Sequence, residues 1–137
     1  MTEKSFVDTN IFVYARDSSD KKKQSMARRI IASLKREDLL VISSQVVTEF
    51  CSVMTTKLKS PPNKVKSDVL LMLELEPVPL SAEVLRQGLT LYEQYSLSWW
   101  DSWIIAAAIE SNCGVIYSED LSTGATYHGV KVVNPFS

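Results

Sequence analysis

The sequence predicts an α/β domain with a parallel sheet covered by helices on both faces. Three observations predict it. Short apolar runs of strand length alternate with longer runs of helical periodicity, and strands separated by helices return to one sheet in parallel. The chain has 137 residues, the size of one domain, and 45% of them are hydrophobic, enough to fill a core without disulfides or metal clips. The only strong breaker is "KSPPNK" at 59–64, so residues 1–137 read as a single domain.

The elements follow in order. A first strand, Ser5–Val7, runs into a helix at Thr9–Arg16. The next helix, Lys21–Lys35, sets Met26, Ile30, Ile31 and Leu34 on one face, which is expected to meet the core. A strand at Leu39–Ser43 leads to a helix at Gln45–Leu58, and "KSPPNK" then places proline in the first turn of a helix at Asn63–Leu75. A strand at Glu76–Pro79 precedes helices at Ala82–Tyr95 and Trp99–Asn112, the latter capped by Gly114. Strands at Val115–Ser118 and Val130–Val133 complete the set.

Composition removes several classes of function. With a formal net charge of -1 and a pI near 5.8, the chain has no global attraction for phosphates, so any polyanion site must be a local patch. Cys51 and Cys113 lack metal-ligand or redox spacing and sit among apolar neighbours, as reduced core thiols of a cytoplasmic protein do. "MTEKSFVD" holds no signal-peptide core, and the longest apolar stretch, "WIIAAAI", falls far short of the ~20 residues of a membrane span. His128, the single histidine, lies among turn residues, which leaves Ser-His, Cys-His and HExxH arrangements little to work with. The four glycines spell neither GxGxxG nor GxxxxGK[ST]. Catalysis, if the chain performs any, falls to carboxylates.

Four carboxylates stand where surface acids do not belong. Asp8, in "FVDTNIFVYA", follows the first strand directly, and ligand sites of parallel sheets form beyond the carboxyl ends of strands. In "SQVVTEFCSVM", Glu49 lies three residues after Val46 and four before Val53, on the stripe those residues share with Phe50. In "SWWDSWIIAAAIES", Asp101 shares the face of Ile104, Ile105 and Ala108. In "VIYSEDLSTG", Asp120 stands after its strand as Asp8 does after the first. Glu83, Glu93 and Glu110 have polar neighbours at helical spacing and need no such explanation.

Each of the four has an ordinary structural reading. Asp101 fits the third residue of a capping box begun by Ser98, Glu49 the positive end of its helix, and Asp8 and Asp120 turn caps. Taken together, four desolvated anions would repel one another severely without cations. A hard divalent ion answers that problem, because Mg²⁺ or Mn²⁺ takes oxygen ligands and keeps room for water and phosphate. The chemistry implied is metal-assisted hydrolysis of a phosphodiester or a phosphomonoester.

"FVDTN", "TEF", "WWDSWIIAAAIE", "IYSEDL" and the closing "VVNPF" together resemble the PIN-domain ribonucleases, most closely the VapC-type toxins of toxin–antitoxin pairs, over essentially the whole chain. The resemblance implies a five-stranded, mostly parallel sheet between helices. It makes Asp8, Glu49, Asp101 and Asp120 an acidic quartet holding Mg²⁺ or Mn²⁺, with Asp8 and Asp101 as the direct ligands and Glu49 and Asp120 completing or positioning the metal and its water. Asn10 and Ser118 match the polar positions beside the first and last acids, and Glu119 competes with Asp120 for its role. The resemblance further implies endonucleolytic cleavage of RNA, inhibition by a small antitoxin that lays a segment across the groove, and a homodimer.

RNA contact needs positive charge, and "DKKKQSMARR" at 20–29 with Lys35 and Arg36, and "KLKSPPNKVK" at 57–66, supply two local patches. Arg16 is the cation expected nearest the acids. Trp99, Trp100 and Trp103, at helical spacing, read as core or subunit interface rather than as base-stacking platforms. Two rival enzymes fit less well. A haloacid-dehalogenase-type phosphatase wants DxD where this chain has "DTN", and a phosphoacceptor receiver domain needs an acid after a middle strand that here ends "VISSQ". The remaining alternative is a PIN-like binding or assembly module that keeps the acids without turnover.

Overall fold

The computed structural model describes residues 3–137. Among them, five short strands form one sheet in the order β2-β1-β3-β5-β4, with six helices in the connections. β1 (Ser5–Val7) occupies the middle and pairs in parallel with β2 (Leu40–Val41) on one side and β3 (Val115–Tyr117) on the other. β3 pairs in parallel with β5 (Val130–Val133), and only β4 (Thr126–Tyr127) runs antiparallel, against β5. Phe6 and Val7 point to opposite faces of β1, yet both are fully buried, so helices cover the sheet on both sides. The predicted fold class holds.

The helices are α1 (Thr9–Arg16), α2 (Lys21–Arg36), α3 (Ser44–Thr56), α4 (Pro62–Leu73), α5 (Ala82–Gln94) and α6 (Trp99–Glu110). α1 packs on α2 and α3, α3 on α4, and α5 on α6, while α6 lies against β3 and β5. Polar caps start most of them: Asp8, Asp20, Ser43, Ser81 and Ser98 each accept a backbone N–H in the first turn. Pro62 opens α4 as expected, its missing N–H being one the helix would leave unpaired in any case.

Four local expectations are corrected. Glu76–Pro79 is not a ladder strand, because Pro77 and Pro79 flank Val78 and lack N–H groups. Val78 alone makes a parallel bridge to Ser43, donating to Ile42 O at 2.8 Å and accepting from Ser44 N at 2.9 Å. The fifth strand is instead β4, joined to β5 by a two-residue turn in which His128 (φ 47°) and Gly129 (φ 88°) are both left-handed, as a tight hairpin demands. On α2, which packs on α1, Met26 is 38% exposed, and the buried stripe is Ala27, Ile30 and Leu34. The chain leaves α6 through Asn112 (φ 59°) rather than through Gly114, asparagine being one of the few side chains that tolerate this conformation.

This topology positions the site. From β1 the chain steps to β2 on one side, then crosses through α3 to α6 to reach β3 on the other. The carboxyl ends of β1 and β3 therefore flank the point where the direction of winding reverses. Their register pairs Val7 with Tyr117, so the next residues, Asp8 and Ser118, lie side by side.

Candidate metal centre

Asp8 is 8% exposed and does two things with one carboxylate. Its Oδ1 accepts the Thr9 N–H at 2.7 Å as the cap of α1, and its Oδ2 accepts the Ser118 hydroxyl at 2.8 Å. The Ser118 Oγ in turn accepts the N–H groups of Asp120 and Leu121, both at 3.2 Å, fixing the loop after β3. Asn10 completes the frame. Its Oδ1 accepts the Glu119 N–H at 3.1 Å, which turns Nδ2 toward Asp120 Oδ2 at 3.1 Å and, more distantly, toward Asp8 Oδ2 at 3.5 Å. Asn10 and Ser118 thus lie beside the first and last acids, between them and the backbone.

Glu49 comes from the second turn of α3, where Val46 and Phe50 are buried, Val53 is half-buried and Glu49 is itself half-buried. Its Oε1 receives two long hydrogen bonds of 3.4 Å, one from the Thr9 hydroxyl and one from the Gln45 amide. Asp101 lies in the first turn of α6, half-buried, with its backbone N–H donated to Ser98 Oγ at 3.0 Å. The expected cap from Ser98 is present, and it leaves the Asp101 carboxylate on the face that leads to Ile104, Ile105 and Ala108.

Three of the four acids are raised. Burial pushes the Asp8 carboxyl above its ordinary value against the lowering bonds from Ser118 and Thr9, and the charges of Asp120 and Asp101 add to the rise. Glu49 is raised by burial and then by Asp8, and Asp101 by burial with a further contribution from Asp120. No three carboxylates among the described residues are gathered as tightly as shared ligands of one ion. What the four acids share is donor type, carboxylate oxygens of the kind a hard divalent cation takes, and the absence of a cationic partner among the described residues. The ion pairs among the described residues are Arg16–Asp68, Lys23–Glu119 and Arg86–Glu83, and none of them neutralises any of the four acids.

Glu119 and Asp120 separate clearly. Burial opposes ionisation of Glu119, but bonds from Lys23 and from the Tyr14 hydroxyl (2.6 Å) outweigh it and hold its carboxyl below the usual range, turned toward α1 and α2. Asp120, exposed, faces Asn10 and the other acids. Arg16 is not beside the acids. It forms a two-pronged pair with the buried Asp68 of α4, at 2.7 and 3.1 Å, on the wall of an apolar groove of about 350 Å³ that also has Phe12, Ile31 and Leu71 in its lining. In the basic stretch at 20–29, Lys23 is taken by Glu119 and Arg28 donates to Ala15 O at 2.7 Å, while Lys21 and Lys22 remain exposed. Gln45 was not anticipated. The signal for it lay in its spacing, one helical turn before Glu49.

Residues 5–124 match the PIN domain family model, and the chain belongs to that family. Three solved structures share the fold. VapC20 of Mycobacterium tuberculosis, a Sarcin-Ricin loop cleaving toxin, is 16% identical with a TM-score of 0.66, covering 85% of this chain and 89% of its own. VapBC2 of Rickettsia felis, bound to a DNA fragment from its promoter, is 19% identical with a TM-score of 0.69 over 93% and 96% of the two chains. A toxin–antitoxin complex from Klebsiella pneumoniae is 18% identical with a TM-score of 0.64 over 96% and 97%. Comparison with curated proteins gives no match.

Proposed function

We propose that this chain is a divalent-metal-dependent endoribonuclease, the toxin of a toxin–antitoxin pair, that hydrolyses RNA phosphodiester bonds with Asp8, Glu49, Asp101 and Asp120. The observation that carries the reading is that these four acids stand after β1, after β3, in the second turn of α3 and in the first turn of α6, while every ion pair among the described residues engages other acids. Membership of the PIN family and the kinship in fold with a toxin that cleaves the Sarcin-Ricin loop support it.

Mg²⁺ or Mn²⁺ at such a site supplies a water active as a nucleophile near neutral pH and charge for the phosphate oxygens. Asp8 and Asp101 would hold the ion directly. Glu49 and Asp120 complete its surroundings, Ser118 and Asn10 fix Asp8 and Asp120 in place, and exposed lysines such as Lys21 and Lys22 attract the RNA backbone. Arg16 acts through its place on the groove wall. That groove, apolar and ringed by Arg16, Arg28 and Lys35, suits a segment of a small antitoxin with an apolar face and acidic flanks. Trp99 and Trp100, 39% and 59% exposed beside Tyr92, suit a homodimer contact. The toxin reading, whose substrate is RNA, assigns the protein to the cytoplasm; among the described residues no helix is long and apolar enough to cross a membrane.

The looser spacing of the carboxylates favours one other reading, a PIN-like module that binds without turnover. One assay separates the two: RNA cleavage by purified protein in Mg²⁺, in Mn²⁺ and in chelator, beside an identically purified Asp101→Asn variant. Metal-dependent cleavage that falls at least ~100-fold in the variant establishes the nuclease. Equal behaviour of the two proteins on total RNA and on the isolated Sarcin-Ricin loop would favour the module.

A further inference from the structure

We propose that Gln45 is a positioning residue for the metal centre, orienting the Glu49 carboxylate and tying it to the turn that carries Asp101; this rests on the metal-dependent reading above. Gln45 is 5% exposed, at the start of α3. Its Nε2 donates to the Trp100 carbonyl at 3.0 Å, immediately before Asp101, and to Glu49 Oε1 at 3.4 Å. One amide therefore spans the two helices that deliver two of the four acids. Its own Oε1 is buried with no hydrogen-bond partner.

Packing alone does not account for an amide at this position. The cleft it borders, between Ser43, Val78, Val84, Trp103 and Ala107, has no room for a water molecule, and Trp103 Nε1 is likewise buried there without a partner. An apolar side chain of the same length would leave no orphaned oxygen. Turning the amide over would aim Oε1 at two other oxygens, so Glu49 and Trp100 fix its orientation. What the amide provides is selective. Gln45 and Thr9 both donate to Glu49 Oε1, and no donor among the described residues reaches Oε2, which is left available to a cation. Thr9 also gives its N–H to Asp8, so Thr9 and Gln45 link the placements of Asp8, Glu49 and Asp101.

The test is Mn²⁺ affinity, titrated on the full chain by the paramagnetic signal of the free ion, for wild type, Gln45→Met and Asp8→Asn. Gln45→Met should bind Mn²⁺ about tenfold or more weakly, as loss of a group orienting a ligand does, while melting in chelator no earlier than wild type. Wild-type affinity in Gln45→Met, with binding lost in Asp8→Asn, overturns this inference and leaves the metal site standing. Absence of Mn²⁺ binding in wild type, or binding by Asp8→Asn equal to it, overturns the metal site and the inference together. Should Gln45→Met be too unstable to titrate, Gln45→Leu removes the same donor with a shorter apolar side chain, and wild-type affinity there overturns the assignment.

Discussion

At Asp8 one carboxylate caps a helix and also lies within reach of other acids, so the capping role and the proposed metal role do not compete for it. As a cap it gains the Thr9 N–H, and as a neighbour of Ser118 it is held at the carboxyl end of β1, where the charges of Asp101 and Asp120 reach it. Ser118 matters more than its size suggests, since its hydroxyl donates to Asp8 and its oxygen accepts from two backbone groups of the next loop. Ser118→Ala is therefore expected to lower metal affinity and cleavage by about 10- to 100-fold. Equal Mn²⁺ titration curves for Ser118→Ala and wild type would refute that.

At the scale of elements, α1 is held from two sides. Its end is bonded to α4 through Arg16 and Asp68, and Tyr14 is bonded to the β3–β4 loop through Glu119. Asp68 is buried, so removing Arg16 leaves an anion in apolar surroundings, whereas the half-exposed arginine shares its charge with water. Arg16→Met is expected to destabilise the fold by about 1–3 kcal/mol, seen as an earlier melt, with cleavage per folded molecule changed less than fivefold. A large loss of cleavage at unchanged melting temperature would return Arg16 to the substrate. The same scale explains the mistaken strand at 76–79: its apolar pattern was present, but prolines on both sides of Val78 leave a bridge and no ladder.

For the whole molecule, the raised carboxyls of Asp8, Glu49 and Asp101 set a pH dependence of stability. Where the folded state holds a proton that the unfolded chain has already released, stability is full below the ordinary carboxyl value and falls as pH rises through the folded value. In chelator, the melting temperature of wild type relative to Asp8→Asn should therefore fall as pH rises from about 4 to 7. Mn²⁺ at about 100 times its dissociation constant should restore about 2.7 kcal/mol to wild type and little to Asp8→Asn. A wild type that gains on the variant with rising pH, or that ignores Mn²⁺, would show that the acids are not a repelling set.

The sequence by itself determined the features that depend on near neighbours. Ser5–Val7, Thr9–Arg16 and Val130–Val133 have the bounds their periodicity implies, and Glu49 and Asp101 stand out because each breaks an apolar stripe within one or two helical turns. Tertiary structure alone decided which groups meet across the chain. Ser118 and Asp8 are 110 positions apart, Gln45 and Trp100 55, and Arg16 and Asp68 52. Strand register and helix packing set these contacts, so adjacent residues with the same charge, Glu119 and Asp120, have opposite surroundings. The orphaned Gln45 oxygen has the same origin, because helical spacing fixes the face of a side chain and only the folded chain fixes what stands opposite it.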